Sequence, residues 1–454
     1  MAREVTLTQR KGGSRLLAYW EHARESWSRF PESGAVFGFV SVLLFFIIAT
    51  WINTGWPPQI IDGRSIASIV TNAASQGIIA VGVTMLMISG EFDLSVGSTL
   101  GLSALMFIIA ASSGPAGLVA LIPFGIGDRL VDNLDISRAG MSGLASIAVA
   151  LVTGAFLGLI NGLLLVWTRI PSFIVTLGTL YIYRSVMLNI IPGGTIARYT
   201  REEMVWSFHP LVIIGLAVLV GALLLVLLWP ALRRAYLRAQ QNDGVGKLGS
   251  ALRLIVVAGA MAAVVVIGAL IILAYGDNLS DPVKAPFFDI INGNLSFVKH
   301  NFRAAIIWWG VIAAIFTVVL TSTRYGNAVF AAGGNPEAAR AQGVNVRRVK
   351  VTNFVISGML AAVAGITEAA RFKVVEPLRG TGYELDVIAA TVIGGTLLTG
   401  GYGSIIGSVL GILIAFMLKT GLVLIGVQAD WFRGVLGIIM IMAVVINTNI
   451  RRQR

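Results

Sequence analysis

The stretch Gly143-Leu-Ala-Ser-Ile-Ala-Val-Ala-Leu-Val-Thr-Gly154-Ala-Phe-Leu-Gly158-Leu-Ile-Asn161-Gly162-Leu-Leu-Leu-Val-Trp-Thr168 contains no charged side chain and a single amide. A helix needs about 20 such residues to cross the hydrocarbon of a bilayer. In lipid, where no water is present to pair the backbone, the helix satisfies its own polar groups. Runs of the same character recur from Ala35 to Asn447, separated by short polar stretches. They predict spans near 35–51, 73–90, 97–112, 143–168, 172–191, 210–230, 254–275, 304–321, 351–370, 386–399, 403–425 and 432–448. The third is short and rich in glycine, and the pair flanking Gly400-Gly401 reads either as two spans or as one broken, re-entrant unit. A chain of 454 residues that is 56% hydrophobic and 12% charged cannot be arranged as a soluble globule. The fold class is therefore all-α, a polytopic helical membrane protein of about 12 transmembrane helices in a lipid bilayer.

Charge placement orients it. Lysine and arginine collect in the N-terminal tail (Arg3, Arg10, Lys11, Arg15, Arg24, Arg29), in 231–253 (Arg233, Arg234, Arg238, Lys247, Arg253), in 324–350 (Arg324, Arg340, Arg347, Arg348, Lys350) and in Arg451-Arg452-Gln-Arg454. All four fall on one face of a twelve-span chain. Short cytoplasmic loops carry such an excess, which makes that face the cytoplasm and both termini cytoplasmic. The opposite loops balance Asp128, Asp132 and Asp135 against Arg129 and Arg138. The net charge of +12 is thus a topology signal, not a sign of a nucleic-acid partner. Residues 1–34 form a polar tail with no secretory pattern, 35–450 a single transmembrane domain and 451–454 a second tail, with the first span kept as an anchor.

Chemistry on the chain itself is limited. There is no cysteine, which excludes disulfides, thiolate metal sites and cysteine nucleophiles. His22, His209 and His300 lie in tails or loops without a catalytic partner motif, and no metal or catalytic group is expected. No phosphate-binding Gly-x-x-x-x-Gly-Lys-Ser/Thr occurs; Gly244-Val-Gly246-Lys247-Leu lacks the spacing and the hydroxyl.

The most patterned polar segment is Gly333-Gly334-Asn335-Pro336-Glu337-Ala338-Ala339-Arg340-Ala341-Gln-Gly343. Asn335 suits a helix cap, Pro336 the first helical position, Glu337 the positive end of the helix dipole, and Gly343 the C-terminal stop. The resulting short helix would offer Ala338, Ala339 and Ala341 as a small-residue surface. Glu337-Ala338-Ala339, with Gly343 after three further residues, resembles the cytoplasmic coupling loop of ABC permeases. That resemblance implies docking on a separate ATPase subunit; the alternative is an ordinary capped helix joining two spans.

Three longer motifs narrow the likeness: Gly90-Glu91-Phe92-Asp93-Leu-Ser95-Val-Gly97-Ser98, Pro171-Ser-Phe173-Ile-Val-Thr176-Leu-Gly178-Thr179, and Gly382-Tyr383-Glu384-Leu-Asp386 continuing to Gly394-Gly395-Thr396. With their order, they resemble the monosaccharide-type ABC permeases, including ribose and xylose import subunits, from about Ile60 to Asn447. The resemblance implies a homodimer in the bacterial plasma (inner) membrane, ATP and Mg bound by the partner ATPase, and an extracytoplasmic solute-binding protein docking on 113–142 and 276–303. The cargo would be a monosaccharide, a pentose such as xylose or ribose foremost, or a related polyol. Two departures are notable: Glu91-Phe92 replaces residues that many members leave uncharged, and 200–303 adds a helical hairpin with a basic turn. The rival class, an ion-coupled secondary carrier, has no use for a coupling helix and would keep a titratable acid near mid-membrane, whereas the acids here cluster at helix ends.

Gly154, Gly158 and Gly162 share a four-residue spacing with Gly403, Gly407 and Gly411, and each set follows a Glu-x-Asp segment, Glu91-Phe-Asp93 or Glu384-Leu-Asp386. In the predicted topology the two sets run in opposite directions, which predicts an inverted repeat. The glycines suit close helix packing. Asp93 is open to two readings: a helix cap together with Ser95, or a member of a polar pathway with Ser95, Asn161, Thr176, Thr179, Glu384 and Asp386, interleaved with Phe173. Arg184 is expected to pair with an acid or to snorkel, and Glu368 and Lys419 to lie near outer helix ends.

Overall fold

The computed structural model describes residues 33–121, 126–133, 137–191, 195–202, 204–208, 283–295, 300–428 and 430–452. The predicted spans 210–230 and 254–275, with the basic turn between them, and the tail 1–32 lie outside the described residues.

Helices α1 (Ser33–Thr54), α2 (Gly63–Ile88), α3 (Val96–Val119), α4 (Ile126–Asn133), α5 (Gly143–Thr168) and α6 (Ser172–Ile190) come first. Strands β1 (Ala197–Arg198), β2 (Val205–Phe208) and β3 (Val283–Pro286) precede α7 (Phe287–Asn292). There follow α8 (Ala305–Ser322), α9 (Arg324–Gly334), α10 (Pro336–Ala341), α11 (Val346–Phe372), β4 (Val374–Val375), α12 (Tyr383–Ile393), α13 (Ile405–Leu424) and α14 (Trp431–Arg452). Among the described residues eight helices are long and apolar enough to cross a membrane: α1, α2, α3, α5, α6, α8, α11 and α13. The molecule is a polytopic helical membrane protein.

α2 is the central post. Every residue from Ala73 to Ser89 is buried, as expected of a helix enclosed on all sides, and it packs against α11, α13, α8 and α12. α5 shows how lipid inverts the usual arrangement. Its small residues Gly154, Gly158 and Gly162 face inward, while Val152, Phe156, Leu163 and Trp167 point out. Lipid tails are as apolar as leucine, so association in the bilayer rests on close backbone approach. A β-carbon at 154 or 158 would collide with the Gly358 or Phe354 carbonyl of α11, and one at 162 would lie 2.9 Å from Val351 Cα. On α13, Gly407 and Gly411 meet the carbonyls of Gly394 and Ala390 in the same way. Gly403 departs from the expected helical frame. Ser404 caps α13, its hydroxyl accepting from Gly407 N–H at 3.0 Å, and Gly403 sits in the preceding turn against Thr396 and Ile88.

Span boundaries shift for identifiable reasons. α2 starts about three turns before the expected residue 73, because Asp62 caps a polar first turn that an apolar count passes over. α11 likewise starts at Val346, where the Asn345 side chain accepts from Arg348 N–H at 3.1 Å. In α3 a non-helical Gly114 followed by Pro115 interrupts the helix just beyond the expected end at 112. The expected span 386–399 is corrected: α12 has 11 residues and stops at Gly394, and Gly395, Gly400 and Gly401 all adopt positive φ in the turn that follows. An 11-residue helix covers about 16 Å, too short to cross alone. The longer segment 376–393 connects the two ends of α11. Its upstream neighbour β4 pairs antiparallel with β1, Ala197 against Val375, at the far end of α11. Downstream, Gly400 and Gly401 lie against Gly90, Gly333 and Gly334 near the start of α11. α11 has 27 residues and is about 40 Å long. Beyond α3 and α11, β2 and β3 pair antiparallel and the aromatic rings of Phe107, Phe287 and Phe288 pack in tilted and edge-on contacts with centroids 5.5–6.1 Å apart.

Candidate functional site

Two polar places stand out, a capped helix at one end of the bundle and a buried network inside it. α10 is built by local signals. The Asn335 carboxamide oxygen accepts from Glu337 N–H at 3.1 Å and from Ala338 N–H at 3.0 Å, and Pro336 occupies the first position, where no donor is lost. At the other end Gly343 N–H donates to Arg340 O (2.9 Å) and Val344 N–H to Ala339 O (3.0 Å), with Gly343 at φ +82°. This pair of bonds is the Schellman arrangement, with Gln342 as the cap and Gly343 one residue beyond it. Glu337, Ala338, Arg340 and Ala341 are exposed. Ala339 corrects the expected small-residue surface: it is buried and packs in the same apolar cluster as Val344 and Val346, anchoring the helix to its own body.

Directly before α10, Gly333 and Gly334 touch two other turns. A β-carbon at 333 would meet the Ile88 carbonyl, and Gly401 N–H donates to that same carbonyl at 2.8 Å. Gly400 lies on Gly90. Backbone therefore meets backbone where the ends of α2 and α9 and the turn between α12 and α13 converge on the approach to α10.

The buried network starts at Asp93. Its Oδ1 accepts from Ser95 N–H (2.9 Å) and Ser95 O–H (2.7 Å), and its Oδ2 from Ser357 O–H (3.1 Å). Asn161 Nδ2 donates to Ser95 Oγ at 2.8 Å, and the Tyr183 hydroxyl lies 3.2 Å from Asn161 Oδ1 and 3.0 Å from Leu157 O. Four elements are thereby tied: the α2–α3 turn, α5, α6 and α11. Asp93, Ser95, Asn161, Thr176 and Thr179 are all buried. Asp93 is not the cap of α3, which is Ser95; it stands two residues earlier and closes a turn onto Ser95 N–H. Thr176 and Thr179 donate back to their own helix, to Ser172 O at 2.9 Å and Thr176 O at 3.2 Å. Phe173 does not join them and is 52% exposed on the outer side of α6. Glu384 and Asp386 lie in the first turn of α12; Glu384 Oε1 accepts from Gly382 N–H at 3.1 Å while its Oε2 packs against Gly97 in the first turn of α3, where a β-carbon would lie 2.6 Å from it, and Asp386 lies apart.

Arg184 donates to the carbonyls of Pro377 (3.0 Å) and Arg379 (3.2 Å), holding the non-helical part of the 376–393 segment. Glu368 is buried near the far end of α11, accepting from Tyr383 O–H at 3.2 Å with Arg379 Nη1 at 3.6 Å. Lys419 lies 5.9 Å from the rings of Phe416 and Phe432.

Sequence reasoning missed the partners that α11 supplies. Lys350 Nζ pairs directly with Glu91 Oε1, and both side chains are largely buried. Asn353 Nδ2 donates to Met85 O at 3.1 Å, while its Oδ1 accepts from Tyr325 O–H at 2.7 Å; burial pushes the Tyr325 hydroxyl's pKa up, keeping it a donor. Lys350, Asn353 and Ser357 form a polar stripe at helical spacing in an apolar span, which is the one signal that marks them.

Residues 65–237 and 196–444 match the family described as branched-chain amino acid transport system / permease component. The chain is 30% identical over 416 residues to the xylose transport system permease protein XylH of Escherichia coli (strain K12), covering 91% of each. It is 28% identical to the Haemophilus influenzae protein of the same name, covering 91% of this chain and 97% of that one. Against the ribose import permease protein RbsC of Escherichia coli (strain K12) it is 26% identical over 409 residues, 90% of this chain and 92% of the relative. No solved structure matches the chain.

Proposed function

Since the chain belongs to this permease family, in the sugar-type branch that holds the xylose and ribose permeases, we propose that it forms the membrane-spanning part of an ATP-driven importer of a monosaccharide or related polyol. A pentose is the first expectation for the cargo. Two copies of the chain pair in the plasma (inner) membrane over separate ATPase subunits, which bind the ATP and Mg. An extracytoplasmic binding protein delivers the solute. With the eight long apolar helices, the expected spans 210–230, 254–275 and 432–448 and the 376–393 segment, the chain makes about 12 crossings, and an even number leaves both termini on the cytoplasmic, lysine- and arginine-rich side. The inverted repeat has the support that α3 packs on α5 as α12 packs on α13.

The observation that carries this reading is α10. It is capped at both ends, exposed along Glu337, Ala338, Arg340 and Ala341, and joined through its preceding glycines to the end of α2 and the turn between α12 and α13. Closure of the ATPase pair pushes on this helix. The turns, having no side chains to compress, pass the displacement to the central post. The Asp93 network then sits at the joint between halves, where a change in hydrogen bonding between α3, α5 and α11 opens a polar path.

Uptake by the complex in sealed proteoliposomes discriminates this from an ion-coupled carrier. Labelled xylose or ribose is expected to accumulate only with the binding protein outside and ATP on the ATPase side. Accumulation on a proton or sodium gradient without ATP contradicts the proposal.

A further inference from the structure

We propose that the Glu91–Lys350 ion pair is the strut that transmits displacement of α10 to the Asp93 network; this rests on the permease reading above. Glu91 is the residue that departs from the uncharged pattern of the resembled family. The structure supplies its counter-charge from a helix 259 positions away.

The path is short and has few soft joints. α10 ends in the Schellman turn at Gly343, and only Val344 and Asn345 separate it from α11, whose first turn Asn345 caps. Ala339, Val346 and Val349 are buried in one cluster, so α10 and the start of α11 move as a unit. Lys350 lies in the second turn of α11. Its ammonium meets the Glu91 carboxylate, and the side chains are 22% and 9% exposed. Glu91 precedes Asp93 by two residues, and Phe92 N–H between them donates to Ser172 Oγ at 3.0 Å, tying the turn to α6. Seven residues beyond Lys350, two helical turns or about 10 Å along the same face, Ser357 donates to Asp93 Oδ2. α11 therefore grips the 91–95 turn twice, once by charge and once by hydrogen bond, with Asn353 holding Met85 O alongside. A helix held at two points rotates its load; held at Ser357 alone, it slides past. The ion pair is what makes α11 a lever on the turn.

Removing one partner of a buried pair strands a charge and unfolds proteins for reasons unrelated to coupling. The informative variant removes both charges, Glu91→Gln with Lys350→Met, and the rescue variant exchanges them, Glu91→Lys with Lys350→Glu. Each is reconstituted as the full complex in proteoliposomes, and ATP hydrolysed is measured against solute taken up. The neutral double variant is expected to assemble and hydrolyse ATP within about twofold of wild type, while ATP consumed per solute rises about tenfold, within the usual range for coupling between sites. Exchange of the charges returns the ratio most of the way to wild type. A wild-type ratio in the neutral double variant overturns the proposal. So does a proportional fall in hydrolysis and uptake, which marks a purely structural pair, or an exchanged variant no better coupled than the neutral one. If the wild-type chain itself recovers no ATPase, the permease reading fails first, and the two failures are distinguished.

Discussion

Gly333→Val is expected to abolish recovery of a monodisperse protein, whereas Gly178→Ala is expected to leave recovery and thermal midpoint unchanged or slightly improved. The contrast is steric. A β-carbon at 333 would overlap the Ile88 carbonyl and come within 2.7 Å of Gly401 N, both of them backbone, while one at 178 meets nothing within 4 Å. No rotamer change relieves a clash with backbone, so three converging turns must separate. Overpacking costs about 1–3 kcal/mol, and loss of the Gly401 N–H to Ile88 O bond adds about 1 kcal/mol. Together these approach the whole stability margin of a typical domain, about 5 kcal/mol at its lower end. Gel filtration in detergent and a thermal unfolding scan read the outcome. A well-folded Gly333→Val variant with a wild-type midpoint would show that the three turns are not in contact.

Asp93→Ala is the second large effect. It leaves the Ser95 N–H, the Ser95 hydroxyl and the Ser357 hydroxyl without their acceptor inside a closed interface. A buried group stranded in this way costs about 1–3 kcal/mol, and two of the three can turn to other acceptors only by leaving the network. The expected loss is about 3 kcal/mol, read as a lowered thermal midpoint together with loss of uptake. Asp93→Asn is expected to retain the fold, because its oxygen still accepts from Ser95 N–H and its amide nitrogen can donate to Ser357 Oγ. Equal midpoints for the alanine and asparagine variants contradict the network as described.

What the sequence made legible follows the range of each interaction. The α10 helix was readable almost to the residue because a cap, a proline at the first position and a terminal glycine act within a few residues. Only the burial of Ala339 escaped, since it depends on Val344 and Val346 folding back over it. The glycine spacing marked α5 and α13 as close-packed, yet not that α5 packs on α11 and α13 on α12. Asn161 and Asp93 were visible as polar residues in or beside apolar runs, while their partners Tyr183 and Ser357 were not. Asp93 and Ser357 stand 264 positions apart, and a single sequence holds no trace of such pairing. The overlong reading of 386–399 has another cause. Leu397 and Leu398 keep that stretch apolar, and hydropathy cannot register that Gly395, Gly400 and Gly401 turn the backbone left-handed.

The central claim is that this chain is driven through α10 by a separate ATPase. The most direct measurement is co-purification of the detergent-solubilised chain from its native membrane, with mass spectrometry of what accompanies it, for wild type and Glu337→Arg. Glu337 is exposed in the first turn of α10, so its reversal costs the helix about 0.5 kcal/mol through the dipole and leaves insertion intact. The account predicts an ATPase subunit in stoichiometric amount with the wild-type chain and its loss from the variant. An ATPase retained in full by Glu337→Arg, with uptake undiminished, would contradict it.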